Sequence, residues 1–165
     1  MATPTSLPAS FSAGAVLTAA QMNNLRGAFR VLQLKQMTYN TQTTVNTSTW
    51  TDTGLTDTIT PSATSSKILV VANVNGTIKG AEDAQNALML KIVRGSTDVY
   101  NAGEVNYTNS AVLLLNSATL IYLDSPSTTS STTYKVAARN VRNGSTVGYC
   151  WQAVNSSLTL LEISA

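Results

Sequence analysis

The stretch Lys67-Ile-Leu-Val-Val-Ala-Asn-Val74 decides the fold. A half-exposed strand alternates apolar and polar residues, but Ile68, Leu69, Val70 and Val71 run together, so both faces of this strand need cover. One face meets the core. The other needs a second layer, an arm or a neighbouring subunit.

Outward from this strand the period is 2. Short β-rich runs follow one another between turn clusters near 37–45, 49–60, 86–94, 97–101, 111–123, 133–142, 147–154 and 157–164. Such a series, with no helix between its members, predicts an all-β fold, an antiparallel β-sandwich or barrel. Arg94-Gly95-Ser96-Thr97 reads as a hairpin turn, and Asn143-Gly144 is the strongest two-residue hairpin signal in the chain. The pattern Pro-Ser-x-Thr-Ser-Ser occurs from Pro61 and again from Pro126, each time between an incoming and an outgoing strand. Two equivalent connections suggest two related halves, as in a jelly roll; the plainer reading is that Pro, Ser and Thr are common turn residues.

The chain has 165 residues, enough for one core without disulfide or metal staples. Only 11% of its residues are charged and the net charge is +2, whereas Thr, Ser and Asn make up about a third. A surface polar through neutral groups neither attracts nor repels polyanions strongly, so nucleic acid is not an expected partner. No apolar run approaches the ~20 residues that span a bilayer, and the N-terminus lacks the basic and apolar regions of a signal peptide. The expectation is a protein made in a cytoplasm, with no membrane partner.

Residues 1–17, with Pro4, Pro8 and Gly14, read as an extended arm. A short α-helix then begins. Thr18 and Gln21 form a capping box, and Leu17 and Met22 are placed for a hydrophobic staple. Met22, Leu25, Phe29 and Leu32 make one stripe opposite Asn23, Arg26 and Arg30, with Gly27 a weak point at which the helix can stop or bend. No acidic residue precedes Asp52. This basic arm and helix, residues 1–35, either docks on a larger assembly or packs back on its own domain, residues 36–165, as cover for the strand at Lys67–Val74.

Chemistry is scarce. Histidine is absent, which removes the commonest general base and transition-metal ligand. Cys150 is alone beside Tyr149 and Trp151 and reads as a buried structural thiol. Glu82 and Asp83 are the only adjacent carboxylates; a solvated loop is the plain reading and an ion contact the sharper one. No catalytic, metal or cofactor-binding residue is expected. Trp50, Tyr107, Tyr149 and Trp151 either form a sugar-binding surface or serve as core and interface anchors.

The segment Leu7-Pro-Ala-Ser-Phe-Ser-Ala-Gly-Ala-Val-Leu-Thr-Ala-Ala-Gln-Met-Asn-Asn-Leu25 resembles the N-terminal segment of many tailed-bacteriophage virion proteins. Trp50-Thr-Asp-Thr-Gly-Leu55, Ser66-Lys-Ile-Leu-Val70, Tyr122-Leu-Asp-Ser-Pro126 and Leu158-Thr-Leu-Leu-Glu-Ile163 are similar to the bodies of such proteins, so the likeness covers nearly the whole chain. It implies a non-catalytic virion component, a capsid decoration or cement protein contacting the major capsid protein. The alternative is a head or tail fibre that meets tail or portal proteins and a host surface glycan. It also implies a homotrimer of β-sandwich domains. Leu17, Met22, Leu25, Arg26, Phe29 and Arg30 are the expected attachment residues. Ile68, Val70, Val112 and Leu114 are the expected trimer contacts, since alternate residues of their two apolar runs would otherwise face water.

Overall fold

The computed structural model of the chain describes Gly14, residues 30–142 and residues 146–164. Through them run ten strands, β1 (Val31–Tyr39), β2 (Thr43–Val45), β3 (Thr51–Ile59), β4 (Lys67–Lys79), β5 (Leu88–Arg94), β6 (Thr97–Glu104), β7 (Leu114–Asp124), β8 (Thr132–Asn140), β9 (Val147–Tyr149) and β10 (Ser156–Ile163). A 3-10 turn at Trp151–Ala153 separates the last two.

Every pairing is antiparallel. In the first sheet β10 lies between β1 and β4, and β7 flanks the other side of β4. The second sheet has the order β3-β8-β5-β6. β2 continues the line of β1, and β9 the line of β10: Tyr39 faces Ser156 and Thr43 faces Tyr149. Counted as such interrupted strands, the chain forms two four-stranded sheets ordered 1-8-3-6 and 2-7-4-5, which is a jelly-roll sandwich. The interruption between β9 and β10 bulges over Gly76, whose φ is +58°; a Cβ there would stand 2.7 Å from the Trp151 amide nitrogen and from Val154 Cγ2.

The strand at 67–79 crosses the middle of the first sheet, and its alternation is strict as far as Val74. Ile68, Val70, Ala72 and Val74 are fully buried, while Leu69, Val71 and Asn73 on the opposite face are only half-buried. From the second sheet Leu55, Leu90, Ile92, Tyr134 and Val136 complete the core, together with Leu158 and Leu160 of β10. The two Pro-Ser-x-Thr-Ser-Ser connections do the same work. Residues 60–66 carry the chain from the second sheet to the first and residues 125–131 carry it back, at the same end of the sandwich, where Lys67 Nζ donates to Ser125 Oγ at 2.8 Å.

The expected helix at residues 18–29 lies outside the described residues. Leu32 does not continue a helical stripe: residues 31–35 belong to β1, because Val31 pairs with Ile163 and Leu34 with Leu161. The sandwich therefore begins five residues earlier than its period suggested. Asn143-Gly144 also lies outside the described residues, but the strands on either side, β8 and β9, belong to different sheets, so the link is no hairpin. The hairpin at Gly95-Ser96 is present, with Arg94 facing Thr97. Gly95 has φ +56° with open space where a Cβ would stand, so Gly95→Ala is expected to cost about 1 kcal/mol, read as a lower urea midpoint at unchanged slope.

Candidate interaction surface

The solvent face of the first sheet is built from rows of directly opposed residues. Leu34 of β1 faces Leu161 of β10, Leu161 faces Leu69 of β4, and Leu69 faces Leu123 of β7: one row of four leucines spans the sheet from edge to edge. The next row is Gln36, Thr159, Val71 and Ile121, and the one after is Thr38, Ser157, Asn73 and Thr119. On the other side of the leucines Ile163 lies between Val31 and Lys67, whose amine reaches Ser125. From the leucines toward Thr38 the face grades from apolar to polar. At the polar end hydrogen bonds tie the rows, from Gln36 Nε2 to Thr159 Oγ1 at 3.0 Å and from Thr119 Oγ1 to Asn73 Oδ1 at 2.7 Å. At the apolar end Val31, Leu34, Ile121 and Leu123 are each more than half exposed.

The solvent face of the second sheet is different. It carries the ion pairs Lys91–Asp98 at 2.7 Å and Lys135–Asp52 at 2.9 Å. Lys91 Nζ stands 4.4 Å, and the Arg139 guanidinium 5.1 Å, from the centre of the Trp50 ring. Charge and cation–π contact keep this face wet.

Ionisable groups within the sandwich are occupied by structure. Beneath the leucine row, Glu162 and Asp124 flank Ile68 from the two neighbouring strands and point inward. Asp124 accepts from Arg94 Nη1 at 2.7 and 2.9 Å and from the Tyr134 hydroxyl at 2.5 Å, clamping the first sheet to the second. Burial, then the hydrogen bond to Asp124, hold the Tyr134 phenol far above its ordinary value. Glu162 accepts from Gln33 Nε2 at 2.6 Å and from the Ser62 amide and hydroxyl at 2.7 and 2.6 Å. Burial pushes its carboxyl up, but these bonds, with one from Ser66, outweigh it and set the group below its ordinary value. At the far end Lys79 is buried and donates to the carbonyls of Gly80, Asp83 and Ser110 at 3.3, 2.6 and 3.2 Å. Asp83 serves Lys79 through its carbonyl, and Glu82 is exposed on the same loop. Cys150 is buried, 3.2 Å from Ser156 Oγ. Among the described residues no three His, Cys, Asp or Glu side chains converge as metal ligands, and no helix is long and apolar enough to cross a membrane.

The expected trimer contacts need correction. Ile68 and Val70 are fully buried in the core and reach no partner; the outward residues of their strand are Leu69 and Val71. Parity was the missed signal. In 67–74 the even positions are all apolar, whereas the odd ones include Lys67 and Asn73, which marks the odd face as the outer one. Val112 is exposed in the connection before β7, and Leu114, half-buried, opens that strand opposite Lys79. Of the expected attachment residues Arg30 alone is described; it is exposed, and its amide donates to Ser164 Oγ at 2.8 Å. Leu17, Met22, Leu25, Arg26 and Phe29 lie outside the described residues. The four aromatics do not share a surface: Tyr149 is in the core, Trp50 lies beside Lys91 of the second sheet, and Trp151 stands in the bulge against β4. Trp151 lines an open depression of about 520 Å³ with Asn75, Asn116, Ser117 and Gln152.

No family model and no curated protein matches this chain. Among solved structures it is similar to the VP2 subviral particle of infectious bursal disease virus, with a TM-score of 0.44 and 13% identity over 82% of this chain and 38% of that one. The chain spans well under half the length of that protein.

Proposed function

We propose that this protein is a non-catalytic structural component of a tailed-bacteriophage virion, a capsid decoration protein that works as a homotrimer and needs no cofactor. The observation that carries the reading is the row of four opposed leucines across the first sheet's outer face, a surface suited to holding a partner. The N-terminal resemblance points to the same class. In this reading the β-domain makes the oligomer. Residues 1–30 seat it on the capsid, with Leu17, Met22, Leu25 and Phe29 in an apolar groove and Arg26 and Arg30 at its rim.

Two measurements test it together. Labelled protein on purified particles is expected at many copies over the head; a few copies at the tail would replace the decoration role. A chain lacking residues 1–29 is expected to keep its melting temperature, since β1 starts at Val31, and to lose incorporation. Normal incorporation of that shortened chain would refute attachment through the arm.

A second reading, a head or tail fibre contacting a host glycan, is favoured by the depression at Trp151. An indole with three amides and a hydroxyl is the chemistry that holds a neutral sugar. Binding of host-surface polysaccharide, lost in Trp151→Ala, would support it.

A further inference from the structure

We infer that copies of this chain meet through the apolar end of the first sheet's outer face, around a three-fold axis parallel to the strands. This deepens the trimer reading above and rests on it. The argument starts from where exposure is greatest. Along the leucine row, Leu69 and Leu161 in the middle are half-buried, while Leu34 and Leu123 at the two edges are 58% and 55% exposed. Val31 and Ile121, on the same two edge strands, are 54% and 58% exposed. A partner resting on the centre of the sheet would leave those edges wet. Copies standing side by side bring the β7 edge of one beside the β1 edge of the next and cover both.

Sheet dimensions select the number. Four strands about 4.8 Å apart span about 15 Å, and packed sheets lie about 10 Å apart, so each needs about 5 Å of side-chain depth. Three faces about 15 Å wide, set as the sides of a prism, stand about 4–5 Å from its axis, the depth that side chains fill. Four faces would leave a channel. Two, face to face, would cover the centre and leave the β1 and β7 edges at the rim. With the axis along the strands, equivalent rows meet at one level, so the leucine row of each copy joins those of the others, with Val71 and Ile121 as a second layer. Neither of these two rows carries a charged side chain; the nearest cation, Lys67 one row beyond the leucines, is turned to Ser125 Oγ at 2.8 Å. The face of the second sheet, with its lysines, Arg139 and aspartates, has no such neutrality.

The test uses the full chain. Leu34 and Leu123 are separated by the width of the sheet within one copy, too far for an internal disulfide, and Cys150 is buried. The double variant Leu34→Cys/Leu123→Cys is therefore expected to give a covalent ladder ending at three chains under oxidation. Leu123→Glu should sediment as a monomer that still melts cooperatively, whereas the unaltered protein sediments as a trimer. A trimer that stays intact in Leu123→Glu and yields no ladder would overturn this face while leaving the trimer standing. A dimer, by mass and by ladder, would overturn the three-fold axis. An unaltered protein that is monomeric, and whose melting temperature falls when residues 1–29 are removed, would overturn both; the chain's own N-terminal segment would then be the cover.

Discussion

Asp124→Ala should lower stability by about 3–4 kcal/mol and the melting temperature by roughly 6–15 °C, the largest single loss expected on this chain. Asp124 is almost wholly buried at the end of β7, and its two oxygens take both contacts from Arg94 and the one from Tyr134. Removing the carboxylate strands a guanidinium and a buried phenol together. The Arg94 side chain is 28% exposed and keeps some water, which places the loss toward the lower end of what an orphaned buried charge costs. Removing both charges should cost less than removing one: Arg94→Met/Asp124→Leu is expected to recover much of the loss, leaving mainly the unpaired Tyr134 hydroxyl. Thermal unfolding of the three proteins decides it. Asp124→Ala within about 1 kcal/mol of the parent would show that the clamp contributes little.

The second large effect is acid sensitivity centred on Glu162. Its folded carboxyl sits below the ordinary value because donors from Gln33, Ser62 and Ser66 outweigh the effect of burial. The unfolded chain, with a pKa of about 4.3, therefore takes up the proton first. Stability from this group is fully present above that value and is lost as pH falls through the lower folded value. Glu162→Gln should cost about 2 kcal/mol at neutral pH, since an amide offers one acceptor where the carboxylate offers two, and its NH₂ would meet donors. In return the variant should lose less stability on acidification below about pH 4. Melting curves collected down to about pH 3 would show the two proteins converging; parallel curves would mean that Glu162 does not carry the acid limb.

Much of this architecture was legible in the amino-acid order. The β-rich runs near 86–94 and 133–142, and the turn chemistry of Gly95-Ser96, are local properties, and the strands stand close to where they place them. The paired Pro-Ser-x-Thr-Ser-Ser connections each carry the chain between the sheets at one end of the sandwich, though most other connections change sheet without that pattern. The leucine row was not legible. Leu34, Leu69, Leu123 and Leu161 are far apart in the chain and become one row only through the register of three strand pairs, which no local pattern encodes. The start of β1 was misread for a related reason. Val31 and Leu32 suit a helical stripe as well as a strand, and only pairing with β10 decides between them.

The place of β10 has a consequence for how the molecule comes into being. This strand, which follows all the others in the chain, lies between β1 and β4, so the first sheet cannot close until β10 has left the ribosome. Until then β1 has no partner and β4 lacks one neighbour, while β3 and β8 can already pair with each other and β8 with β5. Synthesis at about 5–20 residues per second leaves the leucines of β1 and β4 waiting for seconds beside an unfilled gap. Pairing across so long a stretch of chain is slow to nucleate, so the first sheet closes after the second. A nascent chain stalled before Ser156 should hold a formed second sheet and an open first one.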